Sequence, residues 1–216
     1  MLIWEPLARG IVLPGVFKPR SDTWLLAKTA VAEPIPAGAR ILELCAGPAF
    51  AGIAAARAHA GELVTVDVSR RAVLNARLNA FLNRVPIEAR RGDLLAAVPE
   101  DRFNLILANP PYVPGGDPPR HGTARAWEAG PDGRVVLDRI IAEAPRHLAP
   151  GGSLLIVHSA FCGTPATLHA YTANGLRADV AARDEGPLGP LMRAALGQSG
   201  QDIEELVVAR GKVPRS

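Results

Sequence analysis

The tetrapeptide Asn109-Pro110-Pro111-Tyr112 combines residue types suited to gripping a planar nitrogen. The lone pair of an amide or exocyclic amine is delocalised into its π system, so such a nitrogen attacks an electrophile poorly. A site that uses it as a nucleophile needs acceptors for its N–H protons and a flat surface beside the planar group. Asn109 offers a side-chain carbonyl, Pro110 a backbone carbonyl on a residue with no N–H of its own, and Tyr112 an aromatic face. The Pro-Pro pair limits the backbone freedom lost on binding. Without its surroundings, the same tetrapeptide also reads as a proline-rich turn after a strand.

Acidic residues supply a second set of candidates. Glu43 lies in the apolar run that leads into Cys45-Ala46-Gly47-Pro48-Ala49, Asp67 closes the next run, and Asp93-Leu94 follows the third. An acidic residue about 20 positions after a small-residue turn, as Asp67 is, can bind ribose hydroxyls. Asp93 is placed to receive an adenine amino group, and Glu43 the amino group of a zwitterionic ligand. Each also has a plain structural reading: Glu43 caps a helix or pairs with an arginine, Asp67 caps the helix it precedes, and Asp93 begins a turn. Four polar groups at successive run ends, Asn109 included, are hard to assign to accident.

The elements that must position these groups alternate regularly. Strands are predicted over Arg40–Cys45, Leu63–Asp67, Ile87–Arg91, Phe103–Ala108, Ser153–His158, Leu176–Arg183 and Ile203–Ala209. Helices are predicted over Phe50–Ala60, from the N-cap Ser69 to about Asn83, over about Asp132–Leu148, and from Thr164-Pro165 to about Asn174-Gly175. Pro150-Gly151-Gly152 is a stop signal. This βα alternation calls for an α/β fold: a doubly wound, mostly parallel, Rossmann-like sheet of seven strands with an antiparallel terminal hairpin. Ligands of such sheets bind at the carboxyl ends of the strands, where Glu43, Asp67, Asp93 and Asn109 fall. The Pro- and Gly-rich segment 113–131 is too long to be a plain connection. Segment 186–200 interrupts the final hairpin. A single domain is expected, with an N-terminal lid and first helix over 1–33 and a catalytic core over 40–209.

On these residues the chain resembles a class I S-adenosylmethionine-dependent methyltransferase of the HemK type. It is most similar to the short eukaryotic and archaeal branch that methylates the glutamine amide of peptide-chain release factors. The resemblance runs from about Val16 to Ala209. It rests on Val16-Phe17-Lys18-Pro19-Arg20-Ser21-Asp22-Thr23-Trp24-Leu25-Leu26, Leu42-Glu43-Leu44, Gly92-Asp93-Leu94 and Asn109-Pro110-Pro111-Tyr112-Val113-Pro114. His121-Gly122, Trp127 through Arg134, and Leu148 through Gly152 complete it. The resemblance implies S-adenosyl-L-methionine as cofactor, held by Glu43, Asp67, Asp93 and Leu94, with Thr23 closing over its methionine end. Cys45 and Gly47 then contact it through their backbone. Asn109 lies next to both cofactor and substrate, and Asn109, Pro110, Pro111 and Tyr112 form the catalytic set. A small activator subunit covers an apolar surface in this branch, so such a partner is to be looked for here. One departure stands out. The family's Gly-x-Gly-x-Gly turn here keeps only its middle glycine, Gly47. Ala49 is not expected to take positive φ readily, which implies weaker cofactor binding or a shifted loop.

Other chemistry ranks lower. His59, His121, His147, His158 and His169 form no triad with a nucleophile. His158 ends a strand and can reach the site, but reads more simply as a strand-end polar residue. Cys45 and Cys162 show no metal-ligand spacing, which fits a reducing compartment and no metal. A chain of 216 residues, 48% hydrophobic and 21% charged, with a net charge of +3, has the composition of an ordinary soluble domain. It has no membrane-spanning run. Its N-terminal apolar run is broken by Glu5 and Arg9, unlike a signal peptide, and a cytoplasmic location is expected. Three function classes follow. The first is methylation of a protein glutamine; the second is methylation of another planar nitrogen, in a small molecule or at adenine N6; the third is a non-catalytic, cofactor-binding interaction module. Direct action on nucleic acid is disfavoured because no Lys/Arg cluster flanks Tyr112 and Trp127.

Overall fold

Strands whose residues are apolar on both faces need cover on both sides, and that requirement shapes this chain. Its computed structural model describes residues 7–116, 126–197 and 200–214, together with the backbone of 2–4. After a short hairpin of β1 (Leu2–Trp4) and β2 (Arg9–Ile11) comes helix α1 (Ser21–Ala32). Strands β3 (Arg40–Leu44), β4 (Glu62–Asp67), β5 (Ile87–Arg91), β6 (Phe103–Ala108) and β7 (Leu148–Ser159) then follow. They alternate with α2 (Phe50–His59), α3 (Arg70–Asn83) and α4 (Val135–Glu143). Helix α5 (Thr164–Ala173), β8 (Arg177–Pro187), α6 (Pro190–Leu196) and β9 (Ile203–Lys212) complete the chain.

The seven-stranded sheet has the order β5-β4-β3-β6-β7-β9-β8. Only β9 runs against its neighbours, between β7 and β8. The terminal hairpin is therefore antiparallel as expected, but its last strand is interior and β8 forms the edge. Alternate residues serve opposite faces. Ile41, Leu63, Leu105, Leu107 and Leu155 pack under α1 and α2, and Leu42, Val64, Ile106, Leu154 and Ile156 pack with Leu137, Ile140 and Tyr171 of α4 and α5.

Several boundaries differ from the sequence expectation. The helix predicted from Asp132 to Leu148 is α-helical only over Val135–Glu143 and tightens to a 3₁₀ turn over Ala144–His147. Pro145 lacks the N–H that would continue the α-helical ladder. Strand β7 begins at Leu148 and takes in Pro150-Gly151-Gly152, absorbing them where the register with β6 jumps between Phe103 and Leu105. Segment 186–200, read as an interruption, contains the end of β8 and the short helix α6.

One feature of the N-terminal region is not visible in hydrophobic patterning. Asn75, Asn79 and Asn83 stand four residues apart on one face of α3 and are buried. Their amides bond both ways to the backbone of residues 9–13: Asn83 with Arg9, Asn79 with Ile11, and Asn75 with Leu13 N and Ile11 O. Side-chain amides here replace a neighbouring strand. The ladder pins β2 close to α3, and a Cβ at Gly10 would stand 2.5 Å from Asn79 Oδ1. From this anchor the chain runs through Gly15, Val16, Phe17 and Arg20 along the mouth of the site.

Candidate active site

Strand register brings the candidate residues together. β3 pairs with β4 on one side and β6 on the other, with Leu44 opposite Val66 and Ala108. Cys45, Asp67 and Asn109 therefore leave the sheet at one level, at the point where the strand order reverses. A cavity of about 910 Å³ opens there, lined by Thr23, Glu43, Cys45, Gly47, Asp67, Asp93, Leu94, Asn109, Pro110, Pro111 and Tyr112. Every site residue named from the sequence borders this one space.

The turn after β3 corrects an expectation. Cys45, Gly47 and Ala49 all have positive φ, at 53°, 51° and 62°. All three positions where the family carries glycine thus adopt the left-handed conformation, and Ala49 takes it despite its Cβ. The cost for a non-glycine residue is roughly 1–2 kcal/mol. Surrounding bonds hold the turn: Gly47 N donates to Asp67 Oδ2 (2.9 Å), Ala49 N to Ala46 O (2.7 Å), and Ile53 N to Ala49 O (3.0 Å). Ala49 is fully buried and does not border the cavity, so its methyl leaves the ligand's approach open. A Cβ built on Gly47 meets nothing within 4 Å, which leaves an open cradle over the turn.

The carboxylates differ in setting. Glu43 is 4% exposed, and its Oε2 accepts from Gly52 N (2.9 Å), so it caps α2 as well as bordering the cavity. Burial raises its pKa to about 8; the Gly52 N–H opposes that rise and nearby Asp67 adds to it. Asp67 accepts from Gly47 N through Oδ2 and from Ser69 N (2.8 Å) through Oδ1. A carboxylate at this place is an acceptor of the kind that ribose hydroxyls need. Asp93 is exposed and paired with Arg139 at 2.8 Å, an arginine of α4 that sequence reasoning missed and that also borders the cavity. Leu94 follows at φ 49° and is buried. Desolvation pushes the Cys45 thiol well above its ordinary range, with Asp67 adding to it, so Cys45 is an inert wall residue. One carboxylate beside the turn, a second acid farther along and an open glycine cradle suit a nucleoside bearing an amino-acid tail.

The tetrapeptide is held from α1. Asp22 and Thr23 lie within the first turn of α1. Tyr112 Oη donates to Asp22 Oδ2 (3.0 Å), and Thr23 Oγ1 donates to Asp22 Oδ1 (3.2 Å). Asn109 Nδ2 reaches Thr23 Oγ1 at 3.5 Å, which leaves Oδ1 with no donor among the described residues. Burial, then Asp22, raises the Tyr112 pKa, so the phenol stays a neutral donor. Asp22 is 3% exposed and was not singled out as a site residue; its place in the first turn of α1, beside Thr23, was the available signal.

Behind the tetrapeptide, Val113 N donates to Trp127 O (2.7 Å) and Ala129 N to Val113 O (3.1 Å). Trp127 packs beside Tyr112, Val113, Leu188 and Met192, anchoring the loop to the β8–β9 hairpin. Gly133, at φ 73°, lies so close to the Tyr112 carbonyl that a Cβ would overlap it. Arg134 Nη1 donates to Cys162 O (2.6 Å) and Thr167 Oγ1 (3.0 Å), tying the Gly-x-Asp-Gly-Arg stretch to α5. His121 and the rest of 117–125 lie outside the described residues. His158 is fully buried on β7, bonded through Nδ1 to its neighbour Ser159 O, and does not border the cavity. Burial holds its pKa below the usual range, so it is neutral. Among the described residues no helix is long and apolar enough to cross a membrane.

Comparison with known proteins agrees with this geometry. The description of the Methyltransferase small domain matches residues 11–179. A putative protein N5-glutamine methyltransferase of Methanocaldococcus jannaschii is 34% identical over 181 residues, covering 83% of this chain and 90% of the relative. The release factor glutamine methyltransferase of Mycolicibacterium smegmatis is 35% identical; the match covers 80% of this chain and only 64% of that longer protein. Among solved structures, the E. cuniculi Mtq2–Trm112 complex, described as methylating the termination factor eRF1, aligns with a TM-score of 0.64. The identity is 19%, and the alignment covers 93% of this chain and 99% of the other. The T. thermophilus 16S rRNA N2 G1207 methyltransferase, solved with AdoMet and guanosine, also gives 0.64 at 21% identity, over 96% of this chain and 47% of the other. At these identities the two structures speak to the fold.

Proposed function

Because the chain belongs to the Methyltransferase small domain family, whose members use S-adenosylmethionine, we propose that it methylates the side-chain amide of a protein glutamine, as in a peptide-chain release factor. One observation carries the reading: Asn109 stands between the cofactor wall and the Pro110-Pro111-Tyr112 segment, with its Nδ2 turned to Thr23 and its Oδ1 left without a donor. That oxygen is set to accept an N–H of the substrate amide.

When bound, the cofactor supplies an electrophilic methyl group on a sulfonium. Asp67 holds ribose hydroxyls, Asp93 with Leu94 the adenine, and Glu43 the amino-acid end. Asn109 and the Pro110 carbonyl hold the acceptor's N–H bonds, which fixes its plane and raises electron density on its nitrogen. Tyr112, fixed by Asp22, walls one side. No histidine is needed as a base, since an amide nitrogen sheds a proton to water once alkylated. The N-terminal segment through α1 acts as a lid on the core, supported by Phe17, Arg20, Asp22 and Thr23 at the cavity. Two free thiols fit the reducing interior of a cell.

A small activator subunit is part of this reading. Leu74, Leu78, Phe81 and Leu82 expose an apolar stripe on α3, with Phe81 81% exposed, beside the free edge of β5. The Mtq2 structure was solved as a complex with a second protein, Trm112. Phe81→Asp should abolish co-elution of a small host protein and leave the fold intact; unchanged co-elution would remove this surface from the reading.

The test of function uses purified chain, labelled cofactor and a peptide with a Gly-Gly-Gln core. Wild type should label the glutamine and ignore free glutamine, adenosine and oligonucleotides. Asn109→Ala should bind cofactor normally while losing roughly 100-fold or more in kcat. Labelling of DNA but no peptide, or near-normal turnover by Asn109→Ala, would overturn the proposal.

A further inference from the structure

The cavity has a second wall that the cofactor does not need. Because β9 runs against the parallel strands, its first residues lie where the others end: Leu206 pairs with Ser159 at the carboxyl end of β7. The end of β8, helix α6 and the start of β9 therefore border the acceptor side of the cavity, through Pro187, Gly189, Met192, Glu204 and Leu206, and Tyr112 and Trp127 line the same space. This wall is largely apolar, built on the cluster of Val113, Leu188 and Met192.

One charged group breaks it. Glu204 Oε1 is closed off from solvent and accepts no hydrogen bond, while Oε2 has only a long 3.5 Å contact from Gly189 N. A carboxyl oxygen left unmatched among apolar side chains is costly, and such groups in folded proteins call for an explanation. Local donors do not supply one. The Tyr112 hydroxyl is committed to Asp22. The Arg20 guanidinium lies nearby, since its Nη1 and Glu204 Oε2 are each 3.8 Å from the point where a Cβ on Gly189 would stand. Yet no Arg20–Glu204 ion pair forms among the described residues.

We infer that Glu204 is a specificity-determining residue for the acceptor, its under-bonded carboxyl group at the cavity wall receiving a main-chain N–H of the substrate peptide next to the methylated side chain. This rests on the protein-glutamine reading above. The donor is an uncharged N–H because Arg20 beside the carboxylate disfavours a lysine or arginine there. An extended peptide supplies such a donor at an offset from the reacting nitrogen. Free glutamine lacks a peptide N–H on both sides of its side chain.

The test measures methyl transfer to a Gly-Gly-Gln peptide and to two analogues, each with one flanking amide replaced by an ester, which removes a single N–H. For wild type, one ester analogue should lose roughly 10- to 100-fold in kcat/KM, the factor for one hydrogen bond to a charged group. Glu204→Ala should raise KM for the all-amide peptide by a similar factor. Its kcat should stay within about threefold and its cofactor affinity unchanged, and the ester should then cost it nothing further. Glu204→Gln, which keeps an acceptor oxygen, should recover most of the loss. An unchanged KM in Glu204→Ala, or an ester penalty that persists undiminished in that variant, would overturn the inference while leaving glutamine methylation standing. No methylation of any peptide by wild type would overturn both.

Discussion

Replacing Glu43 by glutamine gives a prediction that can be worked from the site itself. Glu43 is 4% exposed, and burial raises its pKa from 4.5 to about 8. Between those two values the unfolded chain carries an ionised Glu43 while the folded chain keeps it protonated. The folded state then binds more protons, so stability present below pH 4.5 is lost as pH rises, by about 1.4 kcal/mol per pH unit, until pH 8. The full gap corresponds to about 5 kcal/mol, of which about 3 kcal/mol has been lost by pH 7. Glutamine is close in shape, cannot ionise and keeps an oxygen to accept from Gly52 N. Urea unfolding of the cofactor-free protein should show Glu43→Gln near wild type at pH 4.5–5 and progressively more stable toward pH 8. The gain should come at a cost to binding, because a cationic amino group beside Glu43 favours the ionised form. Wild type should then release close to one proton on binding cofactor at pH 7, measured by calorimetry in two buffers, and the variant none. A stability difference that stays constant from pH 5 to 8 would refute the argument.

Asp67→Ala should weaken cofactor binding by roughly 10- to 100-fold in calorimetry, since two hydroxyls lose a charged acceptor; wild-type affinity would remove Asp67 from the ribose site. Glu33, with its side chain 1% exposed, holds Ser153 Oγ at 2.7 Å and Arg210 Nη1 at 3.1 Å, joining the end of α1 to β7 and β9. Glu33→Ala should destabilise the fold by roughly 1–3 kcal/mol in denaturant unfolding, because buried Ser153 Oγ loses its acceptor while Arg210 keeps its pair with Asp179; a loss below about 0.5 kcal/mol would show the network to be dispensable.

The place of the candidate site was largely legible in the amino-acid order. Apolar runs of five or six residues can only be strands covered on both faces, and such strands place whatever follows them at one edge of a sheet. Glu43, Asp67, Asp93 and Asn109 could therefore be assigned to one site from their positions in the chain. Tertiary structure decided what depends on contacts between distant segments. Ala49 at φ 62° contradicts local preference because the bonds to Asp67, Ala46 and Ile53 outweigh the strain of one residue. Asn75, Asn79 and Asn83 look like an unremarkable polar helix face until the backbone of residues 9–13 arrives to be bonded. Asp22 meets Tyr112 across 90 residues, and Glu204 reaches the site only because β9 is inserted antiparallel beside β7. Strand periodicity is local and survives in sequence. The partner of a buried polar group is chosen by the packing of remote elements, and no spacing along the chain encodes it.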